Sequence, residues 1–234
     1  MMSSWYRVIY KQIEPIHIGT GNYGVINETR IFITGQMMWG ALTNAYFKET
    51  NEYQESLFEN ITCFYPKIAS EILEPNYKNG EFYLGNMSER EFRKEFVTTY
   101  TATAINPLSR HAKDETLHEI DIVLPKNIYW VGYLEIDDKG KIPQKIYIGG
   151  DSKYGFGLME LIDTEEEENY LYNIKKGVYQ DNNYPNPILN FVKFENQSFE
   201  GEIELMVEFD FYQKALNPDL KRQGFYIGVG AKII

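Results

Sequence analysis

Gly149-Gly150-Asp151-Ser152-Lys153-Tyr154-Gly155-Phe156-Gly157 sets four glycines among nine residues, between short apolar runs at 146–148 and 158–162. That density permits positive φ and the close approach of a polymer, while Ser152 and Lys153 supply donors for phosphate. A nucleotide-binding P-loop is excluded, because the GKS or GKT ending that would set a lysine on β and γ phosphates is missing. Loose hairpin turns are the alternative reading of the same glycines. The flanking apolar runs read as strands, so the stretch joins two β segments.

Working outward, residues 5–18 are rich in Tyr, Val and Ile and read as an opening strand that ends at Gly19, Gly21 and Gly24. A second β run at 29–33 breaks at Gly35. Met38, Leu42, Ala45 and Tyr46 then recur at helical spacing, predicting a helix over 38–47, with another turn or two over 51–59. Residues 66–75 look loop-rich and 82–84 look like a strand. Ser88, followed three residues later by Glu91, has the form of a helix capping box. A β run at 96–104 and a polar stretch at 105–115 follow. The runs 118–124 and 128–136 read as two strands of a projecting hairpin, joined through 125–127. Beyond residue 162 come four glutamates at 165–168, an Asn- and Pro-rich linker or excursion at 181–190, and a half-exposed strand at 201–211 that alternates apolar and acidic residues. A last strand is expected at 224–233. Strands mixed with few helices give an α+β class rather than a doubly wound sheet, and the order strand, helix, strand, strand, helix, strand suits a ferredoxin-like antiparallel core. The expected division is a domain over 1–162 and a C-terminal β-rich extension over 163–234 packed on the same core.

The chain has 234 residues, 43% of them apolar and 15% aromatic, enough to fill a core without covalent staples. Its one cysteine, Cys63, excludes an intramolecular disulfide framework and fits a reducing compartment. No signal peptide and no apolar stretch long enough for a membrane span is seen, so a cytoplasmic protein with no membrane partner is expected. A net charge of −11 argues against whole-surface nucleic-acid binding, which needs an excess of Lys and Arg, and leaves room only for a local contact.

Gly19-Thr20-Gly21-Asn22-Tyr23-Gly24 matches GxGxxG, yet a β run follows it instead of the helix that would hold pyrophosphate. Residues 39–44 also lack the acidic group that would hold a ribose, so a dinucleotide site is excluded. A structural turn and a backbone grip on a phosphate chain remain. Ser109-Arg110-His111-Ala112-Lys113 gathers cations in a loop of an acidic chain. Arg110 and Lys113 there suit a backbone contact and His111 a base stack, against the default of a solvated loop. His17, His111 and His118 are the only histidines, and none is spaced for a helical zinc site. No metal or cofactor is expected. His111 and His118 offer at most a weak acid–base pair for metal-free RNA cleavage.

Three segments in this order resemble the RAMP superfamily, the RRM-like subunits of type III and related CRISPR complexes. Ile16-His17-Ile18-Gly19-Thr20-Gly21 is similar to the family's opening strand and loop. Ile31-Phe32-Ile33-Thr34-Gly35-Gln36-Met37-Met38-Trp39-Gly40-Ala41-Leu42 is similar to its turn into the first helix, with Thr34 in place of the usual proline and Trp39 in place of the usual lysine. Residues 149–157 resemble its glycine-rich loop, and 103–119 more weakly resemble its thumb-like hairpin.

The resemblance implies a modified RRM core, guide RNA held through its backbone or 5′ tag, and neighbouring effector subunits, among them a large signalling subunit. It assigns RNA contacts to Gly19, Gly21, Gly35, Arg110, His111, Lys113, Gly150, Ser152, Lys153, Gly155 and Gly157. Asn27 stands where target-cleaving members carry an aspartate, and a neutral amide does not replace a carboxylate at a metal. A non-cleaving structural subunit is therefore the implied role. A RAMP endoribonuclease using the adjacent Glu28, or the histidines, is the enzyme alternative, and a β-rich protein-interaction module without RNA is the third.

Overall fold

The computed structural model describes residues 3–24, 26–103, 110, 118–150, 152–210 and 219–234. β1 (Ser4–Gln12) is built from Tyr, Val and Ile and ends earlier than its composition predicts. Residues 13–18 instead thread inward, with Ile16 in a lone bridge to Val123. β2 (Gly19–Tyr23) and β3 (Ile26–Thr29) form a small hairpin, so the second β run precedes 30–33 rather than filling it. α1 (Gly35–Thr50) starts three residues before the expected helix, because the Thr34 hydroxyl accepts from the Met37 amide and caps it. Asn51, in the left-handed conformation, ends it, and no helix follows over 51–59.

The stretch expected to be loop folds as β4 (Tyr65–Ile68), β5 (Glu71–Ile72) and β6 (Pro75–Lys78), followed by β7 (Glu81–Leu84) and β8 (Met87–Ser88). α2 (Glu89–Phe96) opens on the capping box predicted at Ser88 and Glu91, with both reciprocal hydrogen bonds formed. β9 (Val97–Ala102) pairs antiparallel with β10 (His118–Val123). β11 (Tyr129–Ile136) pairs instead with β1 and β4. The expected hairpin between 118–124 and 128–136 is thus corrected: the 125–127 turn carries the chain from one sheet to another. The physical reason is burial. β10 takes β9 and β3 as neighbours, whereas Trp130, Val131 and Leu134 of β11 are needed in the main core.

β12 (Lys145–Tyr147) and β13 (Leu158–Glu166) complete a six-stranded sheet of order β12-β13-β1-β11-β4-β5, in which β1 is antiparallel to both β11 and β13. A second sheet has the order β2-β3-β10-β9. Gln12 ties the two: its amide nitrogen donates to the Val123 carbonyl at 2.7 Å and its oxygen accepts from the Trp130 indole at 3.2 Å.

The C-terminal part holds the short pairs β14 (Ile174–Lys175) with β15 (Val178–Tyr179), and β17 (Phe199–Glu200) with β20 (Lys232–Ile233). β16 (Val192–Lys193), β18 (Ile203–Asp210) and β19 (Asp219–Ile227) form a sheet of order β16-β19-β18. Val178, Phe191, Met206, Tyr226 and Val229 join the same buried cluster as Val8, Met38 and Trp130. Residues 181–190 are no free linker, since Ile188 and Asn190 are buried and the Asn190 oxygen accepts from the Cys63 amide at 2.7 Å. No helix among the described residues is long and apolar enough to cross a membrane.

Candidate nucleic-acid interface

The fold brings together two segments that are 130 residues apart in sequence. The amide of Gly157 donates to the Pro15 carbonyl at 2.9 Å, that of Gly150 to the His17 carbonyl at 3.3 Å, and that of Ile148 to the Gly157 carbonyl at 2.9 Å. Gly149 has φ +82°, and a Cβ there would lie 1.9 Å from the His17 carbonyl oxygen. Gly157 has φ +101°, with its would-be Cβ 2.6 Å from the Ile148 oxygen. These two glycines are therefore demanded by the fold itself. Phe156, between the last pair of glycines, buries its ring against Ile120 and Ile122 of β10 and anchors the loop.

What the anchors leave outside is a short arc. Ser152–Tyr154 form a 3-10 turn, closed by the Gly155 amide donating to the Ser152 carbonyl at 3.2 Å. Ser152, Lys153, Tyr154 and Gly155 are all exposed. Cβ positions built on Gly150 and Gly155 meet nothing within 4 Å, so at both the bare backbone faces open space. Their amides are engaged within the protein, which leaves the Ser152 hydroxyl and the Lys153 ammonium as the arc's own candidates for phosphate.

His17 was legible in sequence as a poor metal ligand and as part of the opening segment, with no role of its own, yet it is the joint of the site. It is buried, and its Nδ1 lies 2.7 Å from the Asp121 carbonyl, which makes Nδ1 the donor and turns Nε2 towards Gly19. Gly19 and Gly21 lie on β2, and Gly21 has open space beside it. Gly35 lies elsewhere: its would-be Cβ falls 2.3 Å from the Gly177 nitrogen, a packing contact between α1 and the 176–177 turn. Arg110 is exposed with φ +58°. His111 and Lys113 lie outside the described residues, as does the side chain of His118, whose backbone pairs with Ala102.

Glu28, the candidate metal carboxylate, is tied up by Arg93 at 3.0 Å, and Arg93 also holds Glu89 at 2.7 Å. Beside it Arg30 grips Glu204 with two bonds of 2.9 and 2.8 Å. These pairs line a polar cavity of about 430 Å³ that also carries Tyr77 and Glu202. Burial, and then the Glu202 and Glu204 charges, push the Tyr77 hydroxyl above its ordinary range. The Asn27 amide donates to the Glu119 carbonyl at 3.3 Å, bridging β3 and β10. The arrangement can cradle a polymer by shape and a few donors, whereas Glu28, Glu89 and Glu204 are already committed to arginines.

No family model matches the chain, and no curated protein is significantly similar to it in sequence. Among solved structures it is similar to a chain of the cryo-EM structure of the type III-B Cmr-beta bound to cognate target RNA, with TM-score 0.65 and 13% identity, over 97% of this chain and 86% of that one. A chain of the same assembly bound to cognate target RNA and AMPPnP (state 1) gives TM-score 0.66 at 13% identity, over 97% and 85%. Nearly the whole of this chain therefore has the fold of a chain in these type III-B structures.

Proposed function

We propose that this chain is a non-cleaving structural subunit of a type III CRISPR effector ribonucleoprotein and holds the guide RNA backbone or its 5′ tag. The observation that carries the proposal is the end-to-end likeness of fold to a chain in RNA-bound type III-B structures. The meeting of the glycine loop with the His17 segment supports it, because two of the three segments resembling the RAMP superfamily come together there. A ferredoxin-like RAMP core is supported by the four central strands β13-β1-β11-β4: β1 is antiparallel to β11 and β13, and β11 to β4, with α1 between β1 and β4. Between β11 and β13, where that topology has its second helix, the described residues form two 3-10 turns (Lys139–Lys141 and Ser152–Tyr154) and β12. Residues 1–162 are taken as the RNA-holding unit and 163–234 as an extension on it, and the cytoplasm as its place.

The non-cleaving role is supported by Arg93 on Glu28 and by the amide at Asn27. Incubating the assembled complex with labelled target and precursor guide RNA, with and without EDTA, tests it. Cleavage unchanged by Glu28→Gln is expected. Cuts that vanish with that substitution would make Glu28 catalytic and overturn the role. The third reading, a protein module without RNA, requires the assembled complex to hold RNA equally well when Ser152 and Lys153 are both alanine.

A further inference from the structure

Most of the many aromatic side chains pack against one another, as in the run Trp5, Tyr170, Tyr172, Tyr179 and Tyr184, whose successive ring centroids lie 4.3 to 5.9 Å apart. Two tyrosines at the glycine loop behave differently, and a third flanks them. Tyr147 ends β12 at the loop's entry, opposite Leu158, and is 49% exposed; Tyr154 closes the 3-10 turn and is 59% exposed. Tyr100 on β9, 40% exposed, meets the anchor Phe156 edge-on at 5.5 Å. Among the described residues, neither Tyr147 nor Tyr154 has a ring or hydrogen-bond partner. Between them in sequence stands Lys153, exposed and with no carboxylate partner among the described residues.

Electrostatics alone gives this surface little affinity. In a chain of net charge −11, one lysine neutralises about one phosphate, which contributes a salt slope of only about −0.7 on a single strand. Base stacking on an aromatic ring is worth more than that and needs no net charge, but it requires bases whose faces are open. A duplex hides those faces and offers only phosphate and sugar edges. We infer that Tyr147 and Tyr154, flanked by Tyr100, form a stacking platform for unpaired bases beside the glycine loop, which therefore takes single-stranded rather than duplex RNA. The inference rests on the RNA-holding reading above and adds to it the class of RNA and the side chains that select it.

Fluorescence polarisation with the full chain tests it, using a labelled single-stranded RNA, its duplex, and an abasic ribose-phosphate strand of equal length. Tyr147→Ala and Tyr154→Ala should each weaken single-strand binding about tenfold. The phenylalanine variants should bind as the parent does, and the abasic strand should bind weakly and be blind to all four. Lys153→Ala should weaken the normal and the abasic strand alike. The tyrosines are exposed, so melting temperatures should stay unchanged. If the parent binds single-stranded RNA and both alanine variants bind it equally well, stacking is wrong while the RNA-holding reading stands. A parent that binds no RNA of any form overturns both.

Discussion

Gly149 and Gly150 are neighbours with opposite demands. Gly149 has φ +82° and no room for a methyl group, whereas a methyl group on Gly150 would meet nothing within 4 Å. Gly149→Ala should therefore destabilise the protein by about 2 kcal/mol or more, and Gly150→Ala should stay within about 0.5 kcal/mol, as read from paired thermal melts. The sequence displayed both as glycines of one loop and could not separate them, because what distinguishes them is the His17 carbonyl, brought in from 132 positions away. Gly35 shows the same limit. Its motif was legible as a turn into a helix, but its reason for being glycine is a contact with Gly177. Cys63 was legible as unpaired, and its burial is a fact of the fold. Burial pushes its thiol up to about 12, so the thiolate that reacts is absent at neutral pH. Iodoacetamide at pH 8 should leave the native protein unlabelled and label it fully in denaturant; rapid native labelling would contradict that burial.

At the scale of elements, α2 was the most legible, since its capping box is a local code that tertiary context did not override. Ser88→Ala should cost about 1 kcal/mol at neutral pH. Glu91 reinforces the cap: by accepting from the Ser88 hydroxyl and amide its carboxyl is held below its ordinary range. A lowered folded value means the contribution is present above the ordinary glutamate range and is lost as pH falls through the folded value. The difference in melting temperature between parent and Ser88→Ala should thus shrink below about pH 4. β18 was legible as a half-exposed strand, but not for which half. Its acidic face turns inward: Glu204 meets Arg30, and the buried Glu208 meets the equally buried Lys176 at 2.6 Å, over which lies the Trp39 ring. Leu205 and its cross-strand partner Phe225 are left 55% and 57% exposed. Alternation fixes a period of two and is silent on polarity when buried cations await the carboxylates. Glu208→Ala should cost about 3–5 kcal/mol, whereas Leu205→Ser should change stability by less than about 0.5 kcal/mol in chemical denaturation. The reverse ranking would mean that β18 packs by its apolar face.

For the molecule as a whole, the α+β class and the antiparallel sheet were within reach of the sequence, and the pairing of β10 was not. Runs 118–124 and 128–136 have the local signature of a hairpin, and only the competition of β9 and the main core for those strands separates them. The candidate surface was legible as two glycine motifs. Their contact, the anchoring by Phe156 and the role of His17 emerge only when the chain is folded. The charge of −11 likewise reads differently in three dimensions, since Glu28, Glu89, Glu204 and Glu208 are bound to Arg93, Arg30 and Lys176 rather than arrayed against the loop. The most direct test of the central claim is to isolate the tagged chain from cells that encode it in its native surroundings and to sequence the RNA that comes with it. The account predicts repeat-tagged guide RNA, enriched over an untagged control and lost when Ser152, Lys153 and Tyr154 are all replaced by alanine. A chain that assembles with its partner subunits and brings down no RNA above the control would contradict it.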